Sequence, residues 1–173
     1  MHRKVHIDID FGQFINFNYK QETSCINDLK KDQTIYEKFG GLPESYVYQN
    51  TILYQKFWNK NECNYKQFED QLDMDVVTVS SIMQPPGCVI PIHQDAFFQT
   101  RKKFPNTNKE IVRANIYLED WKQGHFLQVN NVVDFDWKQG DGHMWNSDVL
   151  HIGANNGMQN KYTLQVTGFY MGR

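Results

Sequence analysis

The chain of 173 residues has little with which to cross-link itself or enter a membrane. Its three cysteines, Cys25, Cys63 and Cys88, are odd in number, far apart and outside any Cys-x-x-Cys spacing. That argues against both a disulfide framework and a thiolate zinc site. No apolar run approaches the ~20 residues of a membrane-spanning helix. The N-terminal stretch Met1-His2-Arg3-Lys4-Val5-His6-Ile7-Asp8 alternates apolar with polar residues and lacks the apolar core of a signal peptide. These absences predict a soluble, cytoplasmic protein with no membrane partner. A surplus of one charge is missing too: the formal net charge is −2, so a polyanion gains no general attraction and nucleic acid is disfavoured as a partner.

The composition is that of a globular protein, 40% hydrophobic and 14% aromatic, enough for one domain over residues 1–173 with a real core. Nothing in the sequence specifies an oligomeric state. Residues 1–75 read as helical and strand support. Val5, Ile7 and Ile9 alternate as in a strand, and Ser24 to Phe39 reads as a helix with Ser24 as N-cap, Ile26, Leu29, Ile35, Tyr36 and Phe39 as its apolar face, and Gly40-Gly41 as its stop. Residues 46–58 fit helix or strand, and Tyr65, Phe68 and Leu72 predict a helix over 63–72.

From residue 76 onward the pattern changes to short strands, predicted at 76–83, 89–97, 111–118, 125–129, 132–137, 143–146, 149–153 and 161–170. Turn residues separate them, among them Pro85-Pro86-Gly87, Gly140-Asp141-Gly142 and Asn155-Asn156-Gly157. Evenly spaced strands of this kind predict a sandwich, jelly roll or barrel over 76–173. The pentapeptide Asp-Trp-Lys-Gln-Gly occurs at 120–124 and again at 136–140; it reads as a reused strand end and turn.

One run carries chemistry. Pro85 to Asp95 is a turn feeding an apolar segment that ends in His93-x-Asp95. On an extended strand, residues two apart face the same way, so one imidazole and one carboxylate converge. A second imidazole from another strand would complete a 2-His-1-carboxylate face of the kind that binds iron and leaves positions open. His125, His143 and His151 compete for that place, with His151 favoured. Arg113, Asn115 and Tyr117 share an alternation that would turn them into a barrel, where a guanidinium needs an anion.

These pieces, in this order, resemble the Fe(II)- and 2-oxoglutarate-dependent dioxygenases, and within them the prolyl-4-hydroxylase-like branch. The matching residues are the Pro-Gly turn before His93-x-Asp95, the strand Ile116-Tyr117-Leu118 leading to Asp120-Trp121, Gly124 and Phe126, Gly140-Asp141-Gly142, Met144-Trp145, His151 and Lys161-Tyr162-Thr163. They cover about the C-terminal half. The resemblance implies a mainly β fold with N-terminal supporting helices and a double-stranded β-helix (jelly-roll, cupin-like) core. It implies Fe(II) held by His93, Asp95 and His151 as the catalytic set, with 2-oxoglutarate and O2 as co-substrates. A C–H bond of an amino acid, a peptidyl residue or another small molecule would be hydroxylated, releasing succinate and CO2. Lys161, ten residues after His151, with Thr163 on the same strand face, would pair the distal carboxylate of 2-oxoglutarate, and Tyr117 would add a hydrogen bond to it. Arg113 would bind either the chelating or a substrate carboxylate, or else pair with an acid of the chain such as Glu119 or Asp148.

The alternatives are a cupin-type metal enzyme, a non-catalytic barrel, or a nucleic-acid demethylase. The first typically carries a His-x-His cluster with a Glu, which is missing. The last resembles a branch with a second Arg where this chain has Thr167.

Overall fold

The alternation after Met74 folds into two facing antiparallel sheets. The computed structural model describes residues 1–26, 30 and 33–172. Its strands are β1 (His2–His6), β2 (Glu22–Ser24), β3 (Ile52–Trp58), β4 (Met74–Gln84), β5 (Val89–His93), β6 (Ile111–Tyr117), β7 (His125–Val129), β8 (Val132–Asp134), β9 (Asp141–Asn146), β10 (His151–Asn155) and β11 (Lys161–Tyr170). The larger sheet runs β1-β9-β6-β11-β4-β3-β2 and the smaller β5-β10-β7-β8. From β4 onward the chain crosses repeatedly between the two, the winding of a double-stranded β-helix. The N-terminal strands β1, β2 and β3 extend the larger sheet at its two edges.

Period-two alternation decides which layer each side chain enters. On β6, Val112, Ala114 and Ile116 face outward, as do Leu164 and Val166 on β11. They pack with Phe14, Phe68 and Leu72 from α1 (Gly12–Ile15) and α3 (Lys66–Leu72). The intervening residues face the other sheet, where Tyr117, Leu127, Val129, Trp137, Trp145 and Val149 form a second core. The polar residues at alternating positions therefore have only the barrel interior to enter. No helix among the described residues is long and apolar enough to cross a membrane.

Several boundaries differ from expectation. Ser24 is the last residue of β2, paired with Ile52 of β3, and its Oγ accepts from the Ile26 backbone N–H at 3.3 Å. Among the described residues, helix α2 spans Gln33–Glu37. Ile26, Ile35 and Tyr36 do share one small core while Phe39 is exposed, and Leu29 lies outside the described residues. The ambiguous 46–58 segment is a 3-10 turn (Tyr48–Asn50) followed by β3. The strand expected to reach residue 97 stops at His93, and α4 (Phe98–Lys103) follows.

The repeated pentapeptides lie side by side. The Trp121 amide donates to the Trp137 carbonyl at 3.0 Å, and both repeats close on a left-handed glycine, Gly124 (φ 90°) and Gly140 (φ 88°). A Cβ at Gly140 would sit 2.3 Å from the Ile7 carbonyl oxygen, whereas one at Gly41 (φ 92°) would meet nothing within 4 Å. Gly140→Ala is therefore expected to lower unfolding free energy by about 3 kcal/mol or more, and Gly41→Ala by about 1 kcal/mol. Urea midpoints at constant slope read the difference.

Candidate metal centre

The end of β5 and the start of β10 bring the two histidines together, because His93 and His151 are cross-strand partners at an irregularity in that ladder. Their ring centroids are 4.1 Å apart. Asp95 follows β5 by two residues and turns back toward them from the loop. One ligand atom from each of His93, Asp95 and His151 lies within 4.8 Å of the others, a cluster that can hold a metal ion.

Both imidazoles are oriented in the same way. His93 Nδ1 donates to the Pro91 carbonyl at 2.8 Å and His151 Nδ1 to the Val149 carbonyl at 3.1 Å. A carbonyl can only accept, so each ring carries its proton on Nδ1 and presents the Nε2 lone pair to the site. Burial pushes the pKa of both rings down, that of His151 to about 3 with help from His93, so both are neutral at pH 7. Asp95 behaves oppositely. Burial pushes its carboxyl up, but Arg113, His151, His93 and the Trp145 N–H together outweigh burial and hold it down at about 2. Two neutral imidazoles, His151 buried and His93 half-buried, and one buried carboxylate form a donor set suited to a divalent cation.

The carboxylate is held on both oxygens. Arg113 Nη1 lies 2.5 Å from Oδ1, and Trp145 Nε1 donates to Oδ2 at 2.8 Å. Oδ2 also faces His151 Nε2 at 3.8 Å. Arg113 is thus paired with an acid of its own chain, but with Asp95 and not with Glu119 or Asp148. Its Nε donates to Thr167 Oγ1, so the guanidinium is committed to fixing Asp95. Trp145 shares that task.

Further along the barrel, Lys161 is 3% exposed. Its Nζ donates to the carbonyls of Phe126 (2.6 Å) and Ala154 (3.4 Å) and lies 5.6 Å from the centre of the Trp137 ring. No carboxylate pairs with it among the described residues. Burial pushes its pKa down to about 7, with Cys88 opposing weakly. Thr163 is buried two residues on, at the same strand face.

Tyr117 has a partner that sequence reasoning missed. Its hydroxyl donates to Asp134 Oδ2 at 2.9 Å, and its ring stacks on Trp137 at 3.8 Å. His143 Nε2 bonds the same Oδ2 at 2.8 Å, Lys4 reaches Oδ1 at 3.2 Å, and His2 closes the chain on His143 Nδ1 at 2.9 Å. His143 is therefore anchored away from the His93–Asp95–His151 cluster, and His125 bonds the Gln159 carbonyl. Asp134 carried no local signal beyond an acid at an inward position, since its partners come from three distant strands. Tyr117→Phe is expected to cost about 1–2 kcal/mol of stability through loss of the bond to Asp134, as urea midpoints of the two proteins would report.

No protein-family model and no curated protein sequence matches this chain. Among solved structures, it is similar to a prolyl-4-hydroxylase from Pseudomonas putida over 98% of this chain and 92% of that one, at 12% identity and a TM-score of 0.54. Similarity also extends to a ribosomal oxygenase from Escherichia coli (11% identity, 73% of this chain, 34% of that chain, TM-score 0.47). A third is a predicted oxalate decarboxylase from Thermotoga maritima (13% identity, 68% and 81%, TM-score 0.44). At 12% identity the likeness to the hydroxylase concerns the fold alone.

Proposed function

We propose that this protein is an Fe(II)- and 2-oxoglutarate-dependent oxygenase that hydroxylates a C–H bond of a small molecule or peptide, with succinate and CO2 as co-products. The observation that carries the reading is Lys161. A His–Asp–His face alone suits several kinds of metal enzyme, but a buried ammonium with carbonyl partners and no counter-charge suits a site that receives a carboxylate. Ala154, whose carbonyl it touches, lies three residues along β10 from His151, about 10 Å of strand. A dicarboxylate held at one end by the bound metal would have its other charge met at the far end.

His93, Asp95 and His151 would hold the iron, which when bound supplies the oxygen-activating chemistry. The residues of the chain do the rest. The Pro91 and Val149 carbonyls fix the imidazole tautomers. Arg113 and Trp145 hold the Asp95 carboxylate in place, so that it need not reorganise when a cation arrives. Lys161 and Thr163 anchor the co-substrate, and Trp137, Tyr117 and Trp145 exclude water from the space beside it.

The test is an anaerobic titration of metal-free protein with Fe(II) and then 2-oxoglutarate, watching the visible charge-transfer band of a chelated iron. A band that needs both additions supports the reading. A folded protein that binds Fe(II) without developing the band on adding 2-oxoglutarate sinks it in favour of a cupin-type metal site.

A further inference from the structure

The loop that carries Asp95 ends on a residue in a conformation that does not suit it. Among the described residues, the non-glycine positions with positive φ are Asp73, Phe97, Asn130 and Asp136. Asp and Asn are short polar residues that tolerate the left-handed region, whereas Phe97 (φ 48°, ψ 34°) is bulky and apolar. It lies two residues beyond Asp95 and immediately before α4. A bulky residue held there is strained, and such strain persists only where the surroundings over-determine it.

The restraints are visible on both sides. Gln94 Nε2 donates to the Asp148 carbonyl at 2.8 Å, tying the loop to the segment that precedes His151. Arg101 of α4 donates twice, from its amide to the Phe97 carbonyl at 2.9 Å and from Nε to the Ala96 carbonyl at 3.1 Å. Glycine would meet these restraints without strain, so the side chain is what accounts for a phenylalanine here. Its ring is buried with Ile111 and Phe169, and its centre lies 5.4 Å from Arg113 Cζ. The guanidinium thus has the ring beside it, Thr167 Oγ1 on Nε and Asp95 Oδ1 on Nη1. An aromatic face attracts a cation, and a ring in that place keeps water off the Arg113–Asp95 pair, which strengthens it.

We propose that Phe97 is a positioning residue of the metal centre: the left-handed turn sets its ring against Arg113, and the ring keeps the guanidinium turned onto Asp95. The proposal rests on the metal assignment in the oxygenase reading and not on the co-substrate. Packing alone does not require the arrangement, since leucine would fill the same apolar cluster without an aromatic face. Loss of the ring should therefore be felt in metal binding beyond its effect on folding.

Co(II) is the probe, because its visible d–d bands report the geometry of its donors. Metal-free protein would be titrated with Co(II) alone, and melting temperatures taken without metal. Phe97→Leu is expected to raise the Co(II) dissociation constant about tenfold, the lower end of the range for losing an outer partner of a ligand, and to shift the bands. Phe97→Tyr, which keeps the ring face, should bind within about threefold of wild type and show its bands. Phe104→Ala is the control, since Phe104 packs on Phe169 at 5.2 Å in the same cluster. It should lower the metal-free melting temperature at least as much as Phe97→Leu and leave Co(II) affinity within about twofold. Phe97→Gly removes ring and strain together; it should bind as weakly as the leucine variant and covers the case in which that variant does not fold. The proposal is overturned if Phe97→Leu, or Phe97→Gly in its place, keeps wild-type affinity and bands. It is equally overturned if Phe104→Ala weakens Co(II) as much, or if Phe97→Tyr binds no better than Phe97→Leu. A folded wild-type protein that binds no Co(II) overturns the metal assignment itself, and the positioning role falls with it.

Discussion

Replacing His151 by alanine is expected to abolish the Fe(II)/2-oxoglutarate charge-transfer band and product formation, whereas His143→Ala should leave the band intact. His151 is one of only three protein donors in the cluster, and its Nε2 is held free by the bond from Nδ1 to Val149. Loss of groups that merely orient a ligand lowers metal affinity 10–100-fold, so loss of the donor itself should exceed about 100-fold. At Fe(II) concentrations near 100 times the wild-type dissociation constant, bound metal adds about 2.7 kcal/mol of stability; the alanine variant should lose nearly all of that increment. His143→Ala acts elsewhere. It strips a buried partner from Asp134 and from His2, and should cost about 2–3 kcal/mol of stability with or without metal. The diagnostic is thus the metal-dependent increment in melting temperature, lost in one variant and kept in the other. Retention of the increment and the band in His151→Ala would move the metal away from this cluster.

Legibility from sequence followed the range of the interactions. His93-x-Asp95 is local, as is the period-two alternation of β4, β6 and β11, and these set both the sheet faces and the inward position of Arg113, Asn115 and Tyr117. The errors fell where local pattern and tertiary partner disagree. Glu22-Thr23-Ser24 has no apolar alternation, and it is a strand only because it pairs with Ile52, Leu53 and Tyr54. The sequence predicts no element between 97 and 111 because α4 buries little beyond Thr100, leaving no apolar face to detect. The hydrogen-bond partners were harder still. Arg113 and Asp95 are eighteen residues apart and Trp145 and Asp95 fifty. Asp134 gathers Lys4, Tyr117 and His143 from three strands of the larger sheet. No spacing rule reaches that far, and only an inventory of inward-facing charges would have raised Asp134 as a question.

Lys161→Met is expected to make the protein more stable and nearly unable to use 2-oxoglutarate. In the free protein the ammonium is desolvated against two carbonyls and an indole face, and its pKa falls from 10.5 to about 7. The sign follows from proton counts. Between pH 7 and 10.5 the unfolded chain binds a proton at this lysine that the folded chain does not, so stability rises with pH across that window, by a few kcal/mol in total. Methionine has similar length and no charge, so it should raise stability at pH 7 by about 1–3 kcal/mol and remove this contribution to the slope above it. A bound dicarboxylate reverses the balance, since a carboxylate beside Nζ favours the charged amine. Wild-type protein should therefore take up close to one proton with 2-oxoglutarate near pH 8.5, and affinity should fall as pH rises above about 7. In the methionine variant the uptake disappears, and the dissociation constant rises by about 100-fold or more, the scale of 3 kcal/mol for a desolvated charge pair. Calorimetry in buffers of different ionisation enthalpy separates proton uptake from binding. Unchanged affinity in Lys161→Met would remove the observation on which the oxygenase reading stands. Lost affinity with lost stability would make Lys161 a structural residue whose two carbonyl bonds outweigh its burial.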